Sequence, residues 1–158
     1  MTMDITAEEL IRLYGLEPHP EGGFFRESYR SEGKTGGKNF CTAIYFLLPA
    51  GHRSRLHRIK SDELWHFYLG GPLTVASIST DGRVARAVLG GDAAAGGRVQ
   101  HMVPAGCWFG AYPEEGTAFS FVGCTVAPGF DFSDLELGER AALVEQFPQA
   151  KELIEKLT

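Results

Sequence analysis

The stretch from Gly51 to Gly70 reads GHRSRLHRIKSDELWHFYLG, and the spacing of His57 and Glu63 between its two glycines indicates the fold. Five residues separate Gly51 from His57, five separate His57 from Glu63, and six separate Glu63 from Gly70. We interpret this spacing as that of a pocket in a β-barrel, because side chains of neighbouring strands then point inward together. It predicts that His57 and Glu63 share the interior of such a barrel.

Short apolar runs separated by turns lie on both sides of this stretch. Asp81-Gly82 between two of the runs indicates a hairpin, since a two-residue type I′ turn needs positive φ at both positions. The predicted strands are FFRESY (24–29), FCTAIYFLL (40–48), ELWHFYL (63–69), LTVASIST (73–80), RVARAVL (83–89), RVQHMVP (98–104) and TAFSFVGCTVA (117–127). SEGKTGGK (31–38) carries three glycines and no apolar residue, so we expect a mobile loop there, at the mouth of a pocket.

Helical patterns are confined to the two ends of the chain. Thr6 and Glu9 have the spacing of a capping box, which predicts a short helix that ends before Gly15. From Asp134 onward the pattern is helical, with Pro148 well placed at a helix start. Strands over about 24–128 and helices over about 134–157 predict one all-β jelly-roll domain, 1–158, rather than an immunoglobulin-like sandwich.

The central spacing resembles the first sequence motif of the cupins, G-x5-H-x-H-x3-E-x6-G. Ile59 stands where the second histidine of that motif would be. VPAGCWFG (103–110) resembles the second cupin motif, with Phe109 in place of its histidine. The resemblance implies a double-stranded β-helix in which the usual metal-binding histidines have been partly replaced.

Longer segments resemble a cupin branch that carries only a domain-of-unknown-function label. They are HPEGGFFRESYRS (19–31), SDELWHFYLGGPL (61–73), VPAGCWFGA (103–111) and VGCTVAPGFDF (122–132). The resemblance implies a jelly roll that pairs as a homodimer, and it implies no particular activity.

GFFRESY (23–29) also resembles the GFFxExF segment of the dTDP-4-dehydrorhamnose 3,5-epimerases, which are metal-free cupins. That resemblance implies that Phe25 and Glu27 help to bind a nucleotide sugar. SRLHR around His57 resembles the RGLHY segment that carries the catalytic histidine of those enzymes. Their tyrosine acid has no counterpart here, because Cys124-Thr125 is followed by Val126, Ala127 and Pro128.

His57 and Glu63 are the candidate catalytic residues, as a dyad that passes a proton to and from a substrate. Burial would raise the pKa of Glu63, whereas a protonated His57 beside it would lower that pKa. The alternative is that the two groups only satisfy each other as a buried polar pair.

A divalent metal is a further alternative, although we assign no cofactor. His57 and Glu63 alone are too few ligands for a stable site, and His101 could complete it.

Arginine suits an anionic group through its two parallel donors, and aromatic rings suit a sugar or a base. On these grounds, and from the resemblance for Phe25 and Glu27, the candidate ligand-binding residues are Phe25, Arg26, Glu27, Tyr29, Arg55, Trp65, Phe67, Trp108 and Phe109.

The composition narrows the classes of function. A net charge of −5 and a pI near 5.5 give no electrostatic basis for binding nucleic acid or an anionic membrane surface. No apolar run of membrane-spanning length and no signal peptide are visible, which predicts a cytoplasmic protein. Three cysteines without CxxC spacing predict reduced thiols.

The motif spacing and the resemblance to the cupins together predict a barrel that binds a small polar molecule, such as a sugar or nucleotide-sugar derivative, around His57 and Glu63, and the resemblance implies that it is a homodimer. As an enzyme it would be a metal-independent isomerase or epimerase. The alternatives are a non-catalytic ligand-binding cupin, acting as a sensor or carrier, and a metal-dependent cupin enzyme with an atypical ligand set.

Overall fold

The computed structural model describes residues 4–158, which form two antiparallel β-sheets that face each other. The larger sheet has six strands, in spatial order β1 (Glu17–Pro18), β2 (Phe24–Arg30), β5 (Thr42–Pro49), β12 (Phe119–Ala127), β7 (Asp62–Gly70) and β10 (Gln100–Val103). The smaller sheet has five, in the order β13 (Glu136–Leu137), β6 (Ser54–Arg58), β11 (Trp108–Pro113), β8 (Leu73–Ile78) and β9 (Val84–Leu89). The predicted all-β cupin jelly roll is confirmed.

The space between the sheets is the principal core. Alternate residues of each strand point into it, as the two-residue period of a strand requires. Its fully buried aromatic residues are Phe46, Trp65 and Phe109. Val75 and Val122 belong to the same buried cluster and come from opposite sheets. One end of this space is not filled by apolar side chains, and the candidate site lies there.

Helix α1 (Ala7–Tyr14) covers part of the outer face of the larger sheet. The predicted capping box is present, because the Thr6 hydroxyl accepts the N–H of Glu9 and the Glu9 carboxylate accepts the N–H of Thr6. Gly15 ends the helix in the left-handed conformation, which glycine adopts without steric cost. Leu10 is buried against the sheet, whereas Leu13 of the same helix is exposed.

The outer face of the smaller sheet is covered by the C-terminal helices α2 (Arg140–Gln146) and α3 (Lys151–Lys156). A 3-10 turn at Pro148–Ala150 joins them, so Pro148 lies at a helical start as predicted. The predicted boundary at 134 was too early. A 3-10 turn (Phe132–Asp134) and strand β13 precede α2, because residues 130–137 run along the barrel edge before the chain turns outward.

Three further parts of the chain differ from the prediction. Residues 31–38 were expected to form a mobile loop, but they contain most of a hairpin between β3 (Lys34–Thr35) and β4 (Lys38–Asn39). Strands β6 and β11 were not recognised as strands, because histidine, arginine and glycine interrupt their apolar pattern. Both are central to the smaller sheet.

Among residues 4–158, no helix is long and apolar enough to cross a membrane.

Candidate functional site

A cavity of about 180 Å³ opens at one end of the space between the sheets. Its polar lining combines two histidines, three glutamates and one arginine with a threonine and a cysteine. Its apolar walls are mainly phenylalanine and aliphatic side chains. The lining residues are His19, Glu21, Phe25, Glu27, Arg30, Thr42, Ile44, His57, Ile59, Glu63, Cys124, Val126, Phe130 and Phe132.

His57 is almost fully buried, and both of its ring nitrogens are engaged. Nδ1 lies 2.7 Å from the carbonyl oxygen of Arg55, which can only accept a hydrogen bond. Nε2 lies 2.9 Å from Oε2 of Glu21. With a carboxylate at Glu21, both nitrogens must carry protons, so the ring is an imidazolium.

Glu21 is held in place by the loop at residues 18–23. Its backbone carbonyl accepts the N–H of Arg55 at 2.7 Å, and the Arg55 guanidinium donates to the carbonyl of Pro20 at 2.6 Å. Gly22 has φ +112°, and a Cβ there would lie 2.1 Å from the backbone oxygen of Arg53. The loop therefore lies directly against the start of β6, the strand that carries His57.

The charges of Glu21 and His57 stabilise each other. Burial acts to lower the pKa of His57, but the Glu21 carboxylate raises that pKa to about 9. Burial acts to raise the pKa of Glu21, but the charge and hydrogen bond of His57 outweigh it, so the pKa of Glu21 is lowered. The pair is a buried ion pair at neutral pH.

Glu63 lines the same cavity, and no lysine, arginine or histidine among residues 4–158 forms an ion pair with it. Burial raises the pKa of Glu63 to about 7, with the charge of His57 lowering it and the charge of Glu21 raising it. The neighbouring Cys124 thiol also acts to lower it, as a hydrogen-bond partner. The predicted direct pair of His57 and Glu63 is therefore replaced by a pair of His57 and Glu21, with Glu63 beside it.

His19 completes the polar end of the cavity. Its Nδ1 accepts the backbone N–H of Glu21 at 3.1 Å. Its ring packs edge-on against Phe25 and Phe46, with centroids 4.5 and 6.0 Å away. Burial lowers the pKa of His19, so this histidine is neutral where His57 is charged.

The rim of the cavity carries Glu27 and Arg30. A β-bulge between Glu27 and Tyr29 shifts the alternation of β2 by one residue. Phe25 and Glu27 line the cavity, but Tyr29 is exposed and Arg30 takes the cavity face in its place. The prediction that Tyr29 points inward was therefore wrong, because the bulge reverses the face that simple alternation assigns.

The other predicted ligand-binding residues do not line the cavity. Arg26 lies on the opposite face of β2 and donates to the carbonyl of Tyr14, and Arg55 supports the loop at residues 18–23. Trp65 and Phe109 are core residues, and the Phe109 ring lies 4.1 Å from that of His57.

Phe67 packs against the same core, and Trp108 faces outward onto the C-terminal helices. Aromatic rings fill a core as readily as they line a pocket, so composition alone did not separate these roles.

The residues present do not fit a metal centre. Both ring nitrogens of His57 are already hydrogen-bonded, Ile59 is apolar, and Phe109 covers the His57 ring. His101 lies opposite Trp65 on β10 and does not line the cavity. Within the described range 4–158, no three His, Cys, Asp or Glu side chains are grouped so that they could hold a metal ion.

Sequence reasoning missed His19, Glu21 and Arg30. His19 and Glu21 lie in PHPEGG, which reads as a turn, and only the contact of that turn with β6 brings them to His57. Arg30 was missed because the bulge is not visible in the sequence. One feature of the sequence could have indicated them. The resemblance of HPEGGFFRESYRS (19–31) to the unknown-function cupins extends past both ends of the predicted strand 24–29, and so includes these three residues.

A family model described as "Cupin superfamily (DUF985)" matches residues 8–138. The chain belongs to this family. An uncharacterized protein of Saccharomyces cerevisiae is 30% identical over 146 residues, which cover 80% of this chain and 72% of the yeast protein.

Solved structures agree with this assignment. Protein SO0799 from Shewanella oneidensis is 44% identical, with a TM-score of 0.92 over 98% of both chains. A hypothetical protein from Leishmania major is 34% identical, with a TM-score of 0.92 over 98% of this chain and 99% of that one. A Bacillus subtilis oxalate decarboxylase is 16% identical, with a TM-score of 0.59 over 90% of this chain and 37% of its own. This last similarity concerns the fold alone.

Proposed function

We propose that this cupin binds a small polar molecule in the cavity and transfers a proton on it without a metal ion, as an isomerase or epimerase does. The observation that carries the proposal is Glu63, a buried carboxyl that lines the cavity with a pKa raised to about 7. A group with such a pKa both takes and returns a proton at neutral pH. Catalytic carboxyls are commonly tuned in this way by burial.

The two charged groups beside Glu63 supply the second part of the reaction. The Glu63 carboxylate takes a proton from a carbon next to a carbonyl, and the electron pair of that C–H bond moves onto the carbonyl oxygen. The positive charge of His57, held in place by Glu21, stabilises the negative charge that develops. The Glu63 carboxylic acid then returns the proton. Return to the former carbonyl carbon, with a proton passed between the two oxygens of the enediol, completes an isomerisation, and return to the opposite face of the first carbon, after the intermediate turns over, completes an epimerisation.

Proton exchange in D2O tests this function before the natural substrate is known. Aldoses, ketoses and hydroxyketones are incubated with the protein, and proton NMR follows the loss of signal at the carbon next to the carbonyl. We expect exchange with the unaltered protein and with Glu145→Gln, an exposed carboxylate on α2, but none with Glu63→Gln. Exchange that persists in Glu63→Gln would contradict the role of Glu63.

The competing function is a ligand-binding cupin without catalysis, in which the same groups only form hydrogen bonds. It predicts binding without exchange. On a compound that exchanges, His57→Ala then tests whether His57 acts in catalysis or only in binding, because a catalytic role abolishes turnover while changing affinity by less than about tenfold, or 1.4 kcal/mol.

The homodimer implied by the family resemblance is a separate proposal, and the outer face of the larger sheet supports it. Tyr68 and Met102, on the neighbouring strands β7 and β10, are 51% and 46% exposed. We expect light scattering to give twice the chain mass, and Met102→Glu to shift it toward one chain mass. A monomer in the unaltered protein would contradict the proposal.

A further inference from the structure

His19 presents a single free hydrogen-bonding atom. Its Nδ1 accepts a backbone N–H, so the proton of the neutral ring is on Nε2. Within residues 4–158, no hydrogen-bond acceptor is found for Nε2. The side chain is only 5% exposed, yet it lines the cavity. The fixed tautomer therefore leaves a donor for a ligand.

The surrounding side chains hold the ring of His19 in one orientation. Phe25 and Phe46 pack edge-on against it, and Phe132 lies with its centroid 5.9 Å away. The backbone N–H of Glu21 holds the opposite edge of the ring. A buried donor held so rigidly is costly to leave without an acceptor, so its preferred partner is an oxygen atom of the ligand.

The charge of the cavity limits what that ligand can be. Three carboxyl groups line it, Glu21, Glu27 and Glu63, against two cationic groups. The first of these cations, His57, is bound to Glu21.

The second, Arg30, is bound to Glu27 at 2.6 Å and also donates to Asn39 and to the carbonyl of Phe130. Neither cation is left to bind a phosphate or a carboxylate, and an anion would be repelled by the carboxylate of Glu63, which is not paired with either cation.

The size of the cavity also argues against a phosphorylated ligand such as a nucleotide sugar. Its volume of about 180 Å³ is below the range of roughly 300–1,000 Å³ that is usual for drug-sized ligands. A nucleotide sugar, with its pyrophosphate, is too large and too highly charged for the enclosed part. The aromatic walls, Phe25, Phe130 and Phe132, suit the carbon face of a short polyhydroxy chain or a sugar ring.

We propose that the ligand is an uncharged hydroxycarbonyl compound between a triose and a hexose in size, and that His19 Nε2–H binds its carbonyl oxygen. This specifies the substrate class of the proposed function and rests on that function for the choice of cavity. His19 is a specificity-determining residue, because a neutral donor favours a carbonyl or hydroxyl oxygen over an anionic group.

The test compares matched neutral and phosphorylated probes. Dihydroxyacetone and D-fructose, and the monophosphate of each, are titrated into the protein and their Kd values measured by calorimetry or ligand-observed NMR. We expect at least one neutral probe to bind at least about tenfold more tightly than its phosphate. Tighter binding of the phosphates, or no binding of either neutral probe, would overturn the proposal.

Two substitutions at His19 test the donor itself. His19→Phe keeps a flat ring without the N–H, and we expect it to weaken binding of the neutral probe about tenfold. His19→Gln keeps an N–H donor and should retain most of the affinity. His66→Phe on the outer face is the matched control and should not change the Kd. An unchanged Kd in a folded His19→Phe protein, judged by circular dichroism, would overturn the proposal.

The experiments distinguish a failure of the proposed ligand class, which rests on His19, from a failure of the proposed proton transfer, which rests on Glu63. Binding that depends on His19, without deuterium exchange, would contradict proton transfer and leave the ligand class standing. Exchange that depends on Glu63, with an unchanged Kd in His19→Phe, would support proton transfer and contradict the role of His19.

Discussion

Burial acts to lower the pKa of the two histidines in this cavity and to raise the pKa of Glu21 and Glu63. The partner of each group then decides whether that group is charged. His57 and Glu21 are paired with each other, so both keep their charges in spite of burial. Glu63 has no ion-pair partner among residues 4–158, and the Glu21 carboxylate, 3.8 Å from Nδ1 of His19, does not outweigh burial, so burial favours the neutral forms of both groups. One small site therefore holds an ion pair, a neutral donor and a carboxyl that titrates near neutral pH.

Replacing Glu21 tests whether its carboxylate maintains the charge of His57. In Glu21→Gln the burial of His57 remains while the opposite charge is lost. The pKa of His57 should then fall well below 9, because burial lowers it and only the smaller effects of the Glu63 charge and the Arg55 carbonyl still raise it. NMR titration of the imidazole protons measures this directly. Glu27→Gln, at the rim, should leave the pKa of His57 close to 9, and a value near 9 in Glu21→Gln would contradict the ion pair.

Glu63 should make the protein less stable as the pH rises. Its pKa is 4.5 in an unfolded chain and about 7 in the fold, so the folded state binds more protons between these values. The stabilisation is fully present below pH 4.5 and is lost as the pH rises through about 7.

In Glu63→Gln, the fall in the free energy of unfolding between about pH 5 and 7 should be smaller by about 2 kcal/mol. Urea unfolding at each pH measures it, with Glu145→Gln as the control. An identical pH dependence in all three proteins would show that Glu63 titrates at its ordinary pKa.

At the scale of elements, two irregular features build the site. The loop at residues 18–23 folds back onto β6, which brings Glu21 to His57. The bulge in β2 turns Arg30 toward the cavity and Tyr29 away from it. The regular strands supply the core together with His57 and Glu63, and the two irregular features add His19, Glu21 and Arg30 to the site.

Two leucines of helix α1 test whether its buried face stabilises the protein. Leu10 is 2% exposed, and Leu13 of the same helix is 68% exposed. Leu10→Ala should lower the free energy of unfolding by about 2–3 kcal/mol, because it removes buried methyl groups and leaves a cavity. Leu13→Ala should change it by less than about 0.5 kcal/mol. Urea unfolding distinguishes the two, and equal losses would contradict the packing of α1.

At the scale of the whole molecule, three clusters of buried side chains share the two sheets. One lies between the sheets, and the other two lie under α1 and under the C-terminal helices. Each strand of the sheets contributes side chains to two faces, so the clusters are joined through the same backbones. We expect them to unfold together.

The two tryptophans report on two of these clusters. Trp65 lies between the sheets and Trp108 lies under the C-terminal helices. In Trp65→Phe and in Trp108→Phe, the remaining tryptophan fluorescence and the far-UV circular dichroism should give one coincident urea transition. Separate transitions in either variant would show that one cluster unfolds independently of the other.

The sequence by itself determined the fold class, the capped α1 and the presence of His57 and Glu63 in one barrel interior. These follow from local patterns: alternation, turn residues and motif spacing act between near neighbours in the chain. Only the tertiary structure decided that His57 pairs with Glu21, that Arg30 rather than Tyr29 faces inward, and that Trp65, Trp108 and Phe109 are core. Those outcomes depend on a bulge and on contacts between distant segments, whose geometry and burial local sequence patterns do not encode.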